Sequence, residues 1–304
     1  MEMEYIMRTT KRFTPAVLER FSRNGRGIGT NDDYVPWHCV SRSDPASRGR
    51  SHLQQLFERQ YNLLSDQEWV GLFFASMLPN LHDIREQFPL ELAAGRHELS
   101  AYRIDAPTGL FPGTVELAPG LGIKKYPSVA EQGVRVPWRL TTDLLLTLSG
   151  RNGQLEFLAV SIKPNLAITK RQKQLLGLEK AYWNARSVEW LLVTSAEYEE
   201  SVGLTLRQSM PHVVGPTSPQ SHLAVAADVA HRHCGRSLTF LLNEMVPHVG
   251  GMNNAQRAFW QAAWAGMFPL DFRRDWRPHQ PVVLLNEGDF VSQNPIASRR
   301  SAWI

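Results

Sequence analysis

The sequence predicts an α/β fold: a mixed layer of helices around a small sheet, followed by a smaller α+β domain of winged-helix type. Three observations carry this. Two apolar strand candidates, Asp143–Leu148 and Leu155–Ile162, flank the turn Gly150-Arg151-Asn152-Gly153, and Asn-Gly between β-rich runs is a strong hairpin signal. A helix with a defined start precedes them and a long basic helix follows, which gives the layered order. Beyond these, a proline-rich break leads into two helical runs and two short strand candidates.

The chain has 304 residues, enough for two domains of ordinary size, and its 43% hydrophobic and 20% charged residues are those of a folded protein. A formal net charge of +4 is compatible with a polyanionic partner. Two cysteines far apart, Cys39 and Cys234, read as reduced thiols of a cytoplasmic protein rather than a disulfide framework. No apolar run reaches the roughly 20 residues of a membrane span, and Met1–Thr10 lacks the apolar core of a signal peptide and reads as a loose start.

Residues 1–52 are rich in Arg, Gly, Ser and Pro and read as a flexible basic arm packing on or preceding the core. Gly25-Arg26-Gly27-Ile28-Gly29-Thr30 lacks the preceding strand and following helix of a phosphate-cradling fingerprint. From Ser65 the pattern changes: Ser65-Asp66-Gln67-Glu68 fits a capping box, and Trp69, Leu72, Phe73, Ser76 and Met77 recur at helical spacing until Pro79-Asn80. A short strand follows over Ile84–Leu90, with Pro89 limiting it to an edge or an end. Residues 92–136, with many Gly and Pro, read as an insertion, hairpin-like in part. After the main hairpin come a helix from Thr169 to about Arg186 and a buried strand over Trp190–Thr194. The core thus spans 53–196. A C-terminal domain covers 197–304, with a linker over Pro211–Ser221, helices over 222–246 and 253–267, and strands over Phe268–Phe272 and Val282–Leu285 around an Arg-rich turn.

Asp143 opens one hairpin strand and Lys163 follows the other, so antiparallel pairing brings both to the same end. By strand alternation Ser161 and Lys163 share a face and look toward Asp143. Taken alone, Asp143 reads as a turn cap and Lys163 as a solvated strand end. Together, at the mouth of two apolar strands, they fit phosphodiester hydrolysis, which needs an activated water and positive charge beside the phosphate; a hard divalent ion on carboxylate oxygens supplies both.

This Asp…x-Lys pattern resembles the restriction-endonuclease-like nucleases. The runs Gly25–Gly29, Asp33–Trp37, Gly49–His52, Leu63–Asp66, Asp83–Leu90 and Glu179-x-x-Tyr182-Trp183, in order over roughly residues 20–195, resemble the TnsA family, the endonuclease subunits of Tn7-type (including CRISPR-associated) transposons. The resemblance implies a restriction-endonuclease-like mixed-sheet core and cleavage of the 5′ ends of a transposon. It also implies Mg²⁺ as cofactor with Mn²⁺ as substitute. Double-stranded DNA, a TnsB-like transposase and a TnsC-like AAA+ ATPase are the implied partners, the ATPase bound by the C-terminal domain. On matching positions Glu68 and Asp143 become metal ligands, Lys163 the catalytic lysine, and Glu179 a fourth member of the site, which otherwise reads as a helix-surface ion pair. Position 161 departs from the pattern: the superfamily prefers a carboxylate there. Ser161 is a weak ligand, and the backbone carbonyl of Ile162 or water is left to fill its place. The implied setting is the cytoplasm, close to the nucleoid. A stand-alone restriction or repair nuclease and a non-catalytic DNA- and TnsC-binding adaptor are the alternatives.

Arg23, Arg26, Arg50, Lys170, Arg171 and Lys173 are the candidate DNA contacts. His231-Arg232-His233-Cys234 lacks the second ligand pair that zinc needs and reads as a polar helix end. His38 and Cys39, as adjacent residues, do not form a nucleophile pair. The tail Ser298–Ile304 reads as a frayed end or a docking peptide.

Overall fold

The computed structural model describes residues 12–46, 50–103, 106–150, 152–274 and 277–303. The readings made at Met1–Thr10, Gly49 and Arg151 fall outside these residues, as does part of the Arg-rich turn near residue 275. From Arg12 to Ala46 the expected arm is folded. Helix α1 (Pro15–Arg23) starts at Thr14, whose hydroxyl accepts from Val17 N, and buries Leu18 and Phe21 against Trp37. The glycine loop is closed by Gly27 N–Val35 O (2.6 Å) and Val35 N–Ile28 O (3.0 Å).

Strands β1 (His52–Leu56) and β2 (Arg59–Leu63) form an antiparallel hairpin that leads into α2 (Asp66–Ser76). Ser65 caps α2, as its spacing predicts, accepting from Glu68 N at 3.1 Å. Val70, Gly71, Leu72, Phe73, Phe74 and Ala75 are all buried, which makes α2 a central helix rather than an amphipathic surface one. Strand β3 (Leu81–Pro89) begins three residues earlier than the sequence suggests. The insertion holds the short helix α3 (Thr114–Leu117) and a hairpin of β4 (Ser128–Glu131) and β5 (Val134–Pro137), turning through Gln132 and Gly133 at φ +48° and +81°.

Strands β6 (Thr141–Ser149) and β7 (Leu155–Ile162) form the expected hairpin, followed by α4 (Lys170–Asn184) and β8 (Glu189–Val193). The central sheet runs β3-β6-β7-β8, antiparallel except for the parallel β7–β8 pair. Both faces are covered: Leu144, Leu146, Leu148, Val160 and Ile162 pack with α2, while Leu145, Ala159 and Leu192 pack with α4 through Leu178, Tyr182 and Trp183.

Beyond β8 come α5 (Glu200–Val213), α6 (Gln220–Arg232), α7 (Leu238–Val249), α8 (Met252–Trp264) and the short α9 (Glu287–Ser292). Three expectations are corrected here. Pro211 lies inside α5, so its last turn takes up the start of the expected linker. The single helix expected over 222–246 is two, broken where Gly235 adopts φ +88° and Ser237 caps α7. Among the described residues the two C-terminal strands amount to one bridge, Leu270–Leu284, and Phe272–Arg274 is a 3-10 turn, so no wing ladder forms there. These helices share one apolar core with α2, and Trp264 Nε1 donates to Ser76 Oγ at 2.9 Å. As far as Trp303 the tail is neither frayed nor free, Ile304 lying outside the described residues: Ala302 N donates to Leu192 O (2.7 Å), Leu192 N to Ser301 Oγ (3.0 Å), and Trp303 packs edge-on to Trp190. No helix among the described residues is long and apolar enough to cross a membrane.

Candidate active site

Strands β6 and β7 pair from Ser149–Leu155 to Leu144–Val160, and there the ladder ends. Past that point Ile162 N donates to the Asp143 side chain, at 2.6 Å to Oδ2. The Lys163 ammonium donates to the same oxygen at 2.7 Å. Opposite Asp143, between the pairs Glu86–Leu144 and Phe88–Thr142, Gln87 takes φ +49°, and regular alternation is lost. Leu144 accordingly faces α2, while Thr142, only two residues away, faces α4 and accepts from Trp183 Nε1 at 2.7 Å. Asp143 is the pivot between these faces, within electrostatic reach of a glutamate on each side.

On the α2 side stands Glu68. Gly71, one turn on, allows the close approach: a Cβ there would lie 2.3 Å from Ile162 Cδ1. Glu68 Oε2 accepts from Leu64 N (2.8 Å) and Gln87 Nε2 (3.0 Å), and Oε1 from Ser65 Oγ (3.1 Å). Burial, then the Asp143 charge, pushes its pKa up to about 7, against the pull of these donors and Lys163. On the α4 side Glu179 Oε1 accepts from Thr142 Oγ1 (2.7 Å) and Ser161 Oγ (2.5 Å). Burial and Asp143 raise it, too, to about 7. Its alternative reading as a surface ion pair does not hold, because Glu179 is 5% exposed. Burial works against the charge of Lys163, but Asp143, Glu179 and Glu68 outweigh it and hold its pKa above the ordinary range. The lysine is 34% exposed, so the cluster opens to solvent on its side.

The expectation that Ser161 looks toward Asp143 is corrected. Its hydroxyl donates to Glu179 and accepts from Trp190 Nε1 at 3.1 Å, because β6 and β7 part before they reach it. Of the candidate DNA contacts, Arg26 is committed inside the fold: it pairs with buried Asp44 at 2.6 Å and lies over the Phe21 ring. Arg23, Lys170 and Lys173 are exposed. Arg50 pairs with Asp66 at 3.3 Å while remaining 76% exposed, and Arg171 donates to Lys125 O at 2.9 Å.

The sequence reading gave no site role to Gln87, Thr142 or His38, the last having been set aside as half of a nucleophile pair with Cys39. His38 is 4% exposed, stacks on Trp138, and its Nδ1 has no hydrogen-bond partner. Burial lowers its pKa to about 4, while Asp44 and Asp143 pull the other way. The one sequence signal was the polarity of Thr142 at the start of an apolar strand; Gln87 sits among polar neighbours and offered none.

Among the described residues no group of three or more His, Cys, Asp or Glu is arranged to hold a metal ion, at residues 231–234 or elsewhere. A site of two carboxylates, Glu68 and Asp143, nonetheless suits a hard ion that retains several waters. Three buried carboxylates share one lysine; burial first, and then the Asp143 charge, raise the pKa of Glu68 and Glu179, and a cation there would favour their ionised forms.

Residues 78–195 match the family described as TnsA-like endonuclease N terminal, which covers Asp143, Lys163 and Glu179. The chain is also similar to the Transposon Tn7 transposition protein TnsA of Escherichia coli, with 30% identity over 188 residues. That alignment spans 61% of this chain and 59% of the relative, so the chain matches about three fifths of the curated relative's length. Both matches bear out the resemblance to TnsA read from the sequence.

Proposed function

We propose that this chain is a metal-dependent DNA endonuclease that cuts the 5′ ends of a transposon, working with a TnsB-like transposase and a TnsC-like ATPase. The observation that carries the reading is the convergence of Glu68, Asp143 and Lys163 where β6 and β7 part, around a segment similar to the TnsA endonuclease domain. Glu68, Asp143 and the backbone carbonyl of Ile162 would hold Mg²⁺, or Mn²⁺ in its place. The ion would supply a water acidic enough to attack near neutral pH and charge to offset that on the phosphate. Lys163, ionised and partly exposed, is the group able to reach a phosphate oxygen or the attacking water. Glu179 does not face solvent; through Thr142 and Ser161 it fixes the strand ends on either side of Asp143.

The test is Asp143→Ala in an excision reaction reconstituted with both partners. Loss of 5′ cleavage, by about a thousandfold, with 3′ joining retained is expected, and unchanged 5′ cleavage would sink the reading. Cleavage by the chain alone with Mg²⁺ would point instead to a free-standing nuclease.

A further inference from the structure

The insertion between β3 and β6 takes no part in the cluster above, yet it builds a wall beside it. Lys125, Tyr126, Pro127, Ser128, Arg135 and Pro137 line an open groove of about 460 Å³. Lys124, Lys125 and Arg135 are exposed, and Arg135 also donates to Ser128 Oγ at 2.9 Å. Helix α4 borders the groove, because Arg171 is bonded to the carbonyl of Lys125. Lys170 and Lys173 share the first turn of that helix, which carries no acid.

The charge is one-sided. Between Pro119 and Leu140 the sole acid is Glu131, which pairs with Arg12 at 3.1 Å, and from Lys163 to Leu178 there is none. The wall is also tied to the cluster. Trp138 N is bonded to Pro127 O, and the chain runs on from Trp138 into β6, the strand that carries Asp143. Asp143 follows Pro137 by six residues, at most about 20 Å of extended chain. A stretch of duplex one helical turn long, about 34 Å, can therefore meet the groove and the cluster together.

We propose that this groove binds the phosphate backbone of duplex DNA next to the cut, with Lys125, Arg135 and Arg171 as its cations, so that the insertion sets the strand against Asp143. The inference rests on the endonuclease reading and adds to it a substrate-holding surface. A row of cations with neutral walls fits evenly spaced phosphates and carries no base readout, so this contact positions the DNA without choosing a sequence.

The test has two independent arms, both in the complete reconstituted reaction. In the first, Val134→p-benzoylphenylalanine at the exposed tip of the β4–β5 hairpin is photolysed on end DNA; a cross-link to DNA is expected. A cross-link to partner protein only, or none, overturns the inference, whether or not cleavage occurs. In the second, Lys125→Glu with Arg135→Glu should raise the DNA concentration for half-maximal 5′ cleavage at least tenfold and leave the saturating rate unchanged. The salt dependence should fall by about two on the log–log slope. Lys125→Gln with Arg135→Gln should lie between, and Lys125→Arg with Arg135→Lys should behave as wild type. Wild-type values for the charge reversal overturn the groove alone, while a wild-type chain that never cleaves overturns the endonuclease reading instead.

Discussion

Two kinds of buried charge occur around the central sheet, and they are built on opposite rules. Away from the cluster, buried carboxylates are individually matched: Asp44 by Arg26, Glu86 by Arg59, and Asp83 by the donors Asn31 N and Tyr102 Oη. Glu86 pairs with Arg59 at 2.7 Å and takes Asn62 N on its other oxygen. Glu98 receives Arg186 Nε on both oxygens, at 2.8 and 2.9 Å. In the cluster, three carboxylates share one lysine that is a third exposed. The first arrangement is electrically closed and holds elements together, fixing β2 to β3 and the insertion to α4. The second is left acidic, which costs stability, and on the function proposed above a cation would offset that charge.

Breaking a closed pair should have the largest effect on folding. Arg59→Ala leaves Glu86 buried without a counter-charge, and a loss of about 3–5 kcal/mol is expected in denaturant titration. Cleavage by the fraction still folded should be unaffected. A smaller loss than for an exposed arginine would remove the contrast drawn here.

The open cluster should respond in the other direction. Glu68 titrates near 7 in the fold against 4.5 ordinarily, so the fold favours its neutral form. That stability is fully present below the unfolded value and is lost as pH rises through about 7. In chelator, Tm should therefore fall between pH 5 and 8, with Glu68 contributing up to about 3 kcal/mol; Glu179 adds a change of the same sign. Glu68→Gln should flatten the curve, and added Mg²⁺ should raise Tm most at the alkaline end for wild type and little for the variant. A wild-type Tm that is level across this range would contradict the unbalanced cluster.

The smallest effect concerns the support behind Glu179. Trp190→Phe removes one hydrogen bond to Ser161 and should cost about 1 kcal/mol. The rate of 5′ cleavage should fall more than the lost stability explains, because Ser161 then holds Glu179 less firmly. A rate that merely tracks stability would make Trp190 a packing residue.

The hairpin that carries Asp143 and Lys163 was legible because its signals are local: an Asn-Gly turn between two apolar runs, and antiparallel pairing that fixes which residues share an end. Glu68 was legible as a cap, and it does remain bonded to Ser65. What no local pattern supplies is the departure from regularity. The left-handed Gln87 interrupts the β3–β6 ladder opposite Asp143, and the faces reverse between Leu144 and Thr142 just where β6 and β7 stop pairing. Alternation alone therefore sent Ser161 to the wrong side. His38 is buried against Phe13, Phe21 and Trp138, a packing that no local pattern announces. The β1–β2 hairpin escaped notice because Phe57-Glu58 is an unusual turn pair and Gln54, Gln55, Gln60 and Asn62 dilute its apolar pattern. The C-terminal strands were inferred from β-rich composition, but a single bridge forms there and the helices carry the packing.

The tail laid along β8 has a consequence for how the molecule is made. The bond from Leu192 to Ser301 spans 109 residues, so β7, β8 and the helices that follow can all be in place while the outer edge of β8 still shows unpaired amides. Contacts of such long range form late, and an uncovered edge is a template for pairing with another chain. Covering this edge is therefore expected late in folding, and self-association should be more pronounced in the interval before it.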